Sequence, residues 1–303
     1  VAVLEDTATV IPTLSARVAS PRRRLLLRRL RWVGVVPFFA YLAVFLVIPT
    51  GEMVVDAFKG PSGSFTMANV SAVVHGQYLA AYEVSLEVSA LSTLIGGVLG
   101  FLIAAAIVRR GVPPMMRSVT TVLSGAASNF AGVPLAVAFT WTIGTTGLVT
   151  GWLKPLFNLS QVLPLSSVWG LTVVYVYFQF PLMVILSMPM LMGLRDEWRE
   201  AAAGLGAGRV RYWASVAMPI LFPSLLGSMV LLFGSAFSAY ATAYALSGST
   251  GTLVTEYIGN LINGNITVDP QLAYSLAFGM LVIMVVSVAL SVTLQRRTTR
   301  WLR

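Results

Sequence analysis

Six apolar runs dominate this chain, near residues 32–50, 84–108, 118–143, 168–192, 221–246 and 272–294. Each supplies the roughly 20 mostly apolar residues that a helix needs to cross the hydrocarbon core of a bilayer. Backbone amides in lipid must find their partners inside the protein, so only helices and closed barrels span, and runs of this length are helical. The composition agrees. With 57% of 303 residues hydrophobic and 10% charged, and a mean hydropathy of +0.82, the chain carries more apolar surface than one soluble core can hide. The expected fold is an all-α membrane protein with six transmembrane helices, and the bilayer is its first partner.

Charge orients the bundle. The net charge of +9 would suit a nucleic-acid binder, but the basic residues form no polar domain and gather at the ends of the apolar runs, so no nucleic-acid partner is expected. Arg17, Arg22, Arg23, Arg24, Arg28, Arg29 and Arg31 precede the first run. Arg109, Arg110 and Arg117 follow the second, Arg195, Arg199, Arg209 and Arg211 follow the fourth, and Arg296, Arg297, Arg300 and Arg303 follow the sixth. Of the 20 basic residues only Lys59 and Lys154 fall on the other side. Positive residues near spans stay inside, which puts both termini in the cytoplasm. The expected division is a tail over 1–31, a membrane domain over 32–295 and a tail over 296–303. The basic leader "PRRRLLLRRLRW" suits a signal peptide, but its apolar run is long and "PTGEMVVD" offers no A-x-A cleavage pattern, so the first run is read as a retained helix. The outer loops carry Gly, Pro, Ser and Asn, and "LVTGWLKPLF" reads as a short interfacial helix.

The chain offers little chemistry. Its two lysines are followed by Gly60 and Pro155, so no phosphate-binding P-loop exists. Cysteine is absent, and the single histidine, His75, has no ligand-spaced or triad partner. No catalytic group, metal or cofactor is expected. The spans hold almost no ionisable side chain, with Glu83 and Glu87 at the outer end of the second, which argues against an ion-coupled carrier. Six outer acids, Glu52, Asp56, Glu83, Glu87, Glu256 and Asp269, face two lysines and hint at a cationic solute, although positive-inside topology leaves much the same excess. Taken as one helix, 221–246 aligns Gly234, Ser238 and Thr242 beside Ser235, Ala239 and Ala243. That stripe fits close helix packing or the lining of a pathway. Asn129, Gln179, Ser235, Ser238 and Thr242 are the candidate lining residues. Gly96 and Gly100 read as a packing pair, and Pro134, Pro181 and Pro189 as sites of helix kinking.

One charged stretch interrupts the apolar pattern, "REAAAGLGAGRVRYWASVAMPIL" at 199–221. Asp196 and Glu197 suit a helix N-terminus, and Gly204, Gly206 and Gly208 suit its end. Trp198, Ala201, Ala202 and Leu205 share a face by their spacing, while Arg199 and Glu200 project elsewhere. So short a helix is marginal alone, and its alanines and acid make it a poor lipid binder, so a protein groove is the expected surface.

The spacing of Glu200, Ala201, Ala202, Gly206, Val216, Met218 and Pro219 resembles the EAA loop, E-A-A-x-x-x-G-x(9)-I-x-L-P, of permease subunits in binding-protein-dependent ABC importers of the MetI-like fold. Val216 and Met218 stand where the pattern has Ile and Leu. "SNFAGVPLAVAF" at 128–139 and "AYATAYALSG" at 239–248 are similar to the branch with spermidine/putrescine permeases and their phosphonate, thiamine and ferric-iron relatives. The resemblance implies a non-catalytic subunit forming half of a translocation pathway. Its partners would be two copies of an ATPase, a second homologous permease and an extracytoplasmic solute-binding protein. Within the loop 193–220, Asp196, Trp198, Arg199, Glu200, Ala201, Ala202, Leu205, Gly206 and Pro219 would carry coupling to the ATPase. A polyamine or similar small solute is the implied cargo; another solute such as a sugar, phosphonate, thiamine or ferric iron is the alternative.

Overall fold

A computed structural model describes residues 35–60, 63–109, 111–157, 163–248, 251–264 and 269–299. The expected N-terminal tail and the last four residues lie outside that set. The chain divides into two compact units, Val1–Glu52 and Met53–Arg303. All twelve helices named below come from the described residues, among which six stretches are long and apolar enough to cross a membrane.

The first, α1, runs over Val36–Asp56 and leaves Phe38, Phe39, Tyr41 and Phe45 exposed, as suits a lipid-facing surface. It widens to a π-turn at Ala43–Val47, just before Pro49. Proline has no N–H for the carbonyl four residues back and its ring crowds that carbonyl; a wider turn accommodates both.

The second unit is built on two helices, α3 (Gly76–Ile107) and α7 (Val168–Met192). The short α2 (Ala68–Val73) precedes α3, and His75 is the exposed residue ahead of its first turn. One face of α3 is small: Ser85, Ser89, Ser92, Gly96, Gly100 and Ala104 are all buried. A methyl group on Gly96 would stand 2.8 Å from the Gln179 Cβ, and one on Gly100 would stand 2.6 Å from the Met183 Cβ. The expected packing role of this glycine pair is therefore met by α7, whose backbone approaches too closely for any side chain. Pro181 and Pro189 do not interrupt α7.

Two expected spans differ from what forms. The third run, 118–143, is two helices, α4 (Pro114–Asn129) and α5 (Val133–Ile143), separated at Phe130–Gly132. Gly132 takes φ +75° and Pro134 occupies the first turn of α5, where its missing N–H costs nothing. Pro134 thus starts a helix where a kink was expected. The outer helix α6 (Leu148–Phe157) coincides with "LVTGWLKPLF". The fifth run begins twelve residues before 221 and ends early, as α9 over Arg209–Phe237, and a separate α10 follows at Ala241–Ser247. The last two helices are α11 (Val254–Asn263) and α12 (Pro270–Thr299).

Three apolar clusters hold these elements. Phe101, Met188, Leu191 and Leu221 join α3, α7 and α9 near the arginine-bearing ends. Leu135, Tyr175, Phe178, Ala236 and Ala243 tie α5, α7, α9 and α10 together. Tyr82, Phe237, Val254 and Leu276 fix α11 and α12 against α3.

Candidate functional site

Between α7 and α9 lies α8, over Asp196–Gly204. Gly193 and Leu194 turn the chain out of α7, and Arg195 is extended at the N-cap. Asp196 and Glu197 then place negative charge against the positive end of the helix dipole. Asp196 also pairs with Arg199 at 3.3 Å, one turn on. Both are about half exposed, so the pair adds only a few tenths of a kcal/mol.

The other end of α8 is more tightly specified. Gly206 has φ +75°, its N–H donates to the Ala203 carbonyl at 2.9 Å, and the Ala207 N–H donates to the Ala202 carbonyl at 2.9 Å. These two hydrogen bonds close the last turn as a Schellman cap, which requires a left-handed residue at Gly206. Ala202 and Ala207 make the accompanying apolar contact and pack on Leu194, Tyr212, Trp213 and Ala217.

That packing splits the expected face. Ala202 is buried against the base of α9, whereas Ala201 is exposed, Trp198 is 36% exposed and Leu205 is 88% exposed. Val210, which the sequence reading passed over, is 83% exposed in the first turn of α9. Glu200 is exposed as well. The short helix thus exposes Trp198 and Ala201, with Leu205 at its C-cap, while Ala202 anchors it inward. Pro219 lies elsewhere: α9 is already helical from Arg209, a π-turn at Trp213–Ala217 takes up the proline, and the return is made at Gly206–Gly208.

Trp213 connects α8 to the bundle. It packs in the cluster that holds Ala202 and also in the cluster of Phe101, Met188 and Leu191, meeting the Phe101 ring edge to face with centroids 6.4 Å apart. Trp213 thus joins the packing of α8 to that of α3 and α7.

The candidate lining residues divide. The stripe expected along one helix does not form, because α9 ends at Phe237, with Ser238 at its C-cap and Thr242 in α10. Ser238 and Asn129 are exposed, Ser235 is half-buried, and Thr242 is buried. Thr242 Oγ1 accepts the Gly132 N–H at 2.8 Å, so the two interruptions are joined directly. The Ala239 carbonyl, freed by the second interruption, accepts the Tyr175 hydroxyl at 3.0 Å. Both stretches that suggested a permease branch, 128–139 and 239–248, prove to contain these interruptions. Gln179 is fully buried between α3 and α7 and donates to Ser92 Oγ at 2.7 Å, so it shows no surface to a passing solute in this conformation.

The hint of a cationic solute from outer acids is weakened. Glu256 is fully buried, accepting the Ser247 hydroxyl, the Thr252 N–H at 2.6 Å and the Leu253 N–H at 3.1 Å. Asp56 pairs with Lys59 at 2.7 Å, and Asp269 caps α12 through the Leu272 N–H at 3.0 Å. Three of the six acids are thus engaged within the chain.

Six spans, two of them flanked by helical interruptions, and a short charged helix braced between the fourth and fifth define a membrane transport subunit. Residues 96–300 match the family described as the binding-protein-dependent transport system inner membrane component, and the chain belongs to that family. It is 25% identical over 209 residues to the probable sulfate transport system permease protein cysT of Nephroselmis olivacea, covering 69% of this chain and 70% of that protein. With the sulfate transport system permease protein CysT of Escherichia coli it shares 26% over 180 residues, 58% of this chain and 62% of the relative. The sulfate permeases it matches are covered over 57% to 70% of their length. Among solved structures, a bacterial ABC transporter involved in import of the acidic polysaccharide alginate superposes with a TM-score of 0.71 at 19% identity, over 91% of this chain and 99% of that one. The inward-facing MetNI methionine ABC transporter gives a TM-score of 0.51 at 13% identity, over 73% of this chain and 97% of that one. The fold is that of a MetI-like ABC importer permease. The named relatives are sulfate permeases, so they do not single out the polyamine branch that the two short stretches suggested.

Proposed function

We propose that this chain forms half of the translocation pathway of an importer and that α8 is its coupling helix, seated in a groove of a partner ATPase. The observation that carries this reading is the split of α8, which has Ala202 and the Schellman cap fixed to the base of α9 while Trp198, Ala201 and Leu205 face outward. A helix braced on one side and apolar on the other is built to receive a push. Closure of an ATPase dimer would move α8, and Trp213 would pass the motion to α3 and α7. Glu200 and Arg199 are read as polar anchors at the rim of that face, where they also border the cavity on the inner flank of α8. Two copies of the ATPase, a second homologous permease and a solute-binding protein complete the machine, with both termini of this chain in the cytoplasm.

The pathway is read as running past the two interruptions, with Asn129, Ser235 and Ser238 as its polar wall and Thr242 as the brace behind it. These groups are neutral. A dication crossing the membrane would call for a carboxylate, and the buried Glu256 is already held by its own backbone. Together with the sulfate permeases among the relatives, this supports a small oxyanion of the sulfate type as cargo. The test is uptake of labelled sulfate in cells whose own sulfate permeases are deleted, with and without this chain and its partner subunits. Identification of the ligand held by the co-purifying binding protein decides between sulfate and any other solute.

A further inference from the structure

The arginine-bearing end of the second unit holds a cavity of about 1130 Å³, bounded by the ends of α3 and α7, the start of α4 and the inner flank of α8. Among the described residues five arginines line it against two acids, Asp196 and Glu200. Two of the five are engaged: Arg117 donates to the carbonyls of Ile107 at 3.3 Å, Val108 at 3.1 Å and Arg109 at 3.2 Å, and Arg199 pairs with Asp196. The side chains of the other three, Arg109, Arg195 and Arg209, make no ion pair or hydrogen bond with any described residue. Unpaired guanidinium groups converging on one concave surface attract an anion. The remaining wall is mostly apolar, and the spans contribute Ala105 and Ala106 from α3, Leu191 and Met192 from α7 and Trp213 from α9. A free inorganic anion has no use for that wall, whereas a phospholipid needs both parts. Basic pockets between helices at the cytoplasmic face suit anionic headgroups.

We propose that this cavity binds an anionic phospholipid, its phosphodiester held by Arg109, Arg195 and Arg209 and its acyl chains lying along Ala106 and Met192. The site rests on the topology proposed above, which sets this end of the bundle at the cytoplasmic leaflet. A lipid seated there would brace the inner flank of α8, opposite the face offered to the ATPase.

Native mass spectrometry of the intact complex, purified through a tag on this chain, tests the site by counting retained phosphatidylglycerol or cardiolipin against phosphatidylethanolamine. Retention of anionic lipid is expected, undisturbed by added inorganic phosphate. Arg109→Gln should weaken retention on the order of fivefold and Arg109→Gln with Arg209→Gln on the order of thirtyfold, while the corresponding lysine variants keep most of it. Equal retention of phosphatidylethanolamine, displacement by inorganic phosphate, or unchanged retention in the glutamine variants would overturn the proposal. So would loss of the ATPase from a glutamine variant that still holds its lipid, since the arginines would then face a protein. Retention is read independently of topology, so labelling that reversed the membrane orientation would remove the cytoplasmic assignment and leave the lipid count standing.

Discussion

At the scale of single residues, Gly206 is the most constrained position in α8. Its φ of +75° lets two amides close the helix, and nothing lies within 4 Å of where a side chain would start. The penalty for substitution is therefore conformational alone, about 1–2 kcal/mol for an ordinary residue and more for a β-branched one. Gly206→Val is expected to unravel the last turn of α8 and abolish uptake while the six spans still insert, and assay of transport beside membrane yield separates the two effects. Glu200→Lys reverses the charge offered to the partner; loss of ATPase stimulation by the loaded binding protein, with the ATPase retaining its nucleotide affinity, is the expected result. Normal uptake in both variants would make this loop a connector only. Glu256 gives the converse case. Glu256→Ala leaves two backbone amides without an acceptor in a buried site, a cost of about 3 kcal/mol. The expected reading is a lower unfolding temperature of the purified complex, where an acid that merely attracted solute would leave stability unchanged.

At the scale of elements, the sequence was most legible where length or a special backbone angle decides the outcome. The fourth span forms over 168–192 as its apolar run suggested, "LVTGWLKPLF" is a helix of that extent, and of the three glycines expected at the end of α8 it is Gly206 that takes the positive φ. It was least legible where hydropathy continues through a backbone break. Residues 130–132 and 238–240 are as apolar or small as their surroundings, so a hydropathy window carries the helix straight across them. The available signal was the pair Gly132 and Pro134, a residue free to take positive φ followed by one that prefers a first turn. No comparable signal marks Ser238–Tyr240, where the freed carbonyl of Ala239 is satisfied by Tyr175 from another helix. The inward turn of Ala202 was equally hidden, because spacing places a residue on a face without saying what covers it. The joint between the interruptions yields its own test. Thr242→Val keeps the shape and leaves the Gly132 N–H unpaired, and transport is expected to fall several-fold in a complex that still assembles. Thr242→Ser should restore it. If the joint serves only to pack α5 on α10, both variants should transport normally and Thr242→Val should instead lower thermal stability by about 1–2 kcal/mol.

At the scale of the whole molecule, the distribution of exposed apolar surface bears on assembly. The described spans bury their apolar residues very unevenly: within its most apolar window α7 is 61% buried, α9 22% and α12 11%. A helix at the centre of a bundle and helices at its margin differ in this way, and the margin must be covered by lipid or by another subunit. On the reading proposed above, a second permease supplies the facing wall of the pathway and covers part of that margin. A homologous but different chain is the expected partner, as the family resemblance implies. Purification through a tag on this chain should recover an ATPase pair and a second six-span protein of distinct mass. A functional complex with two copies of this chain would replace the heterodimer with a homodimer and leave coupling through α8 intact. Orientation is tested in the same preparation before solubilisation. Cysteine placed at Lys154 should react with an impermeant thiol reagent added outside intact cells, and cysteine placed at Arg297 should react only after the membrane is opened. The native chain has no cysteine, so every label is read at the chosen site. Reversed labelling would put α8 on the outer face, where no ATP-driven partner could reach it, and the coupling role proposed for Glu200, Leu205 and Gly206 would fall with it.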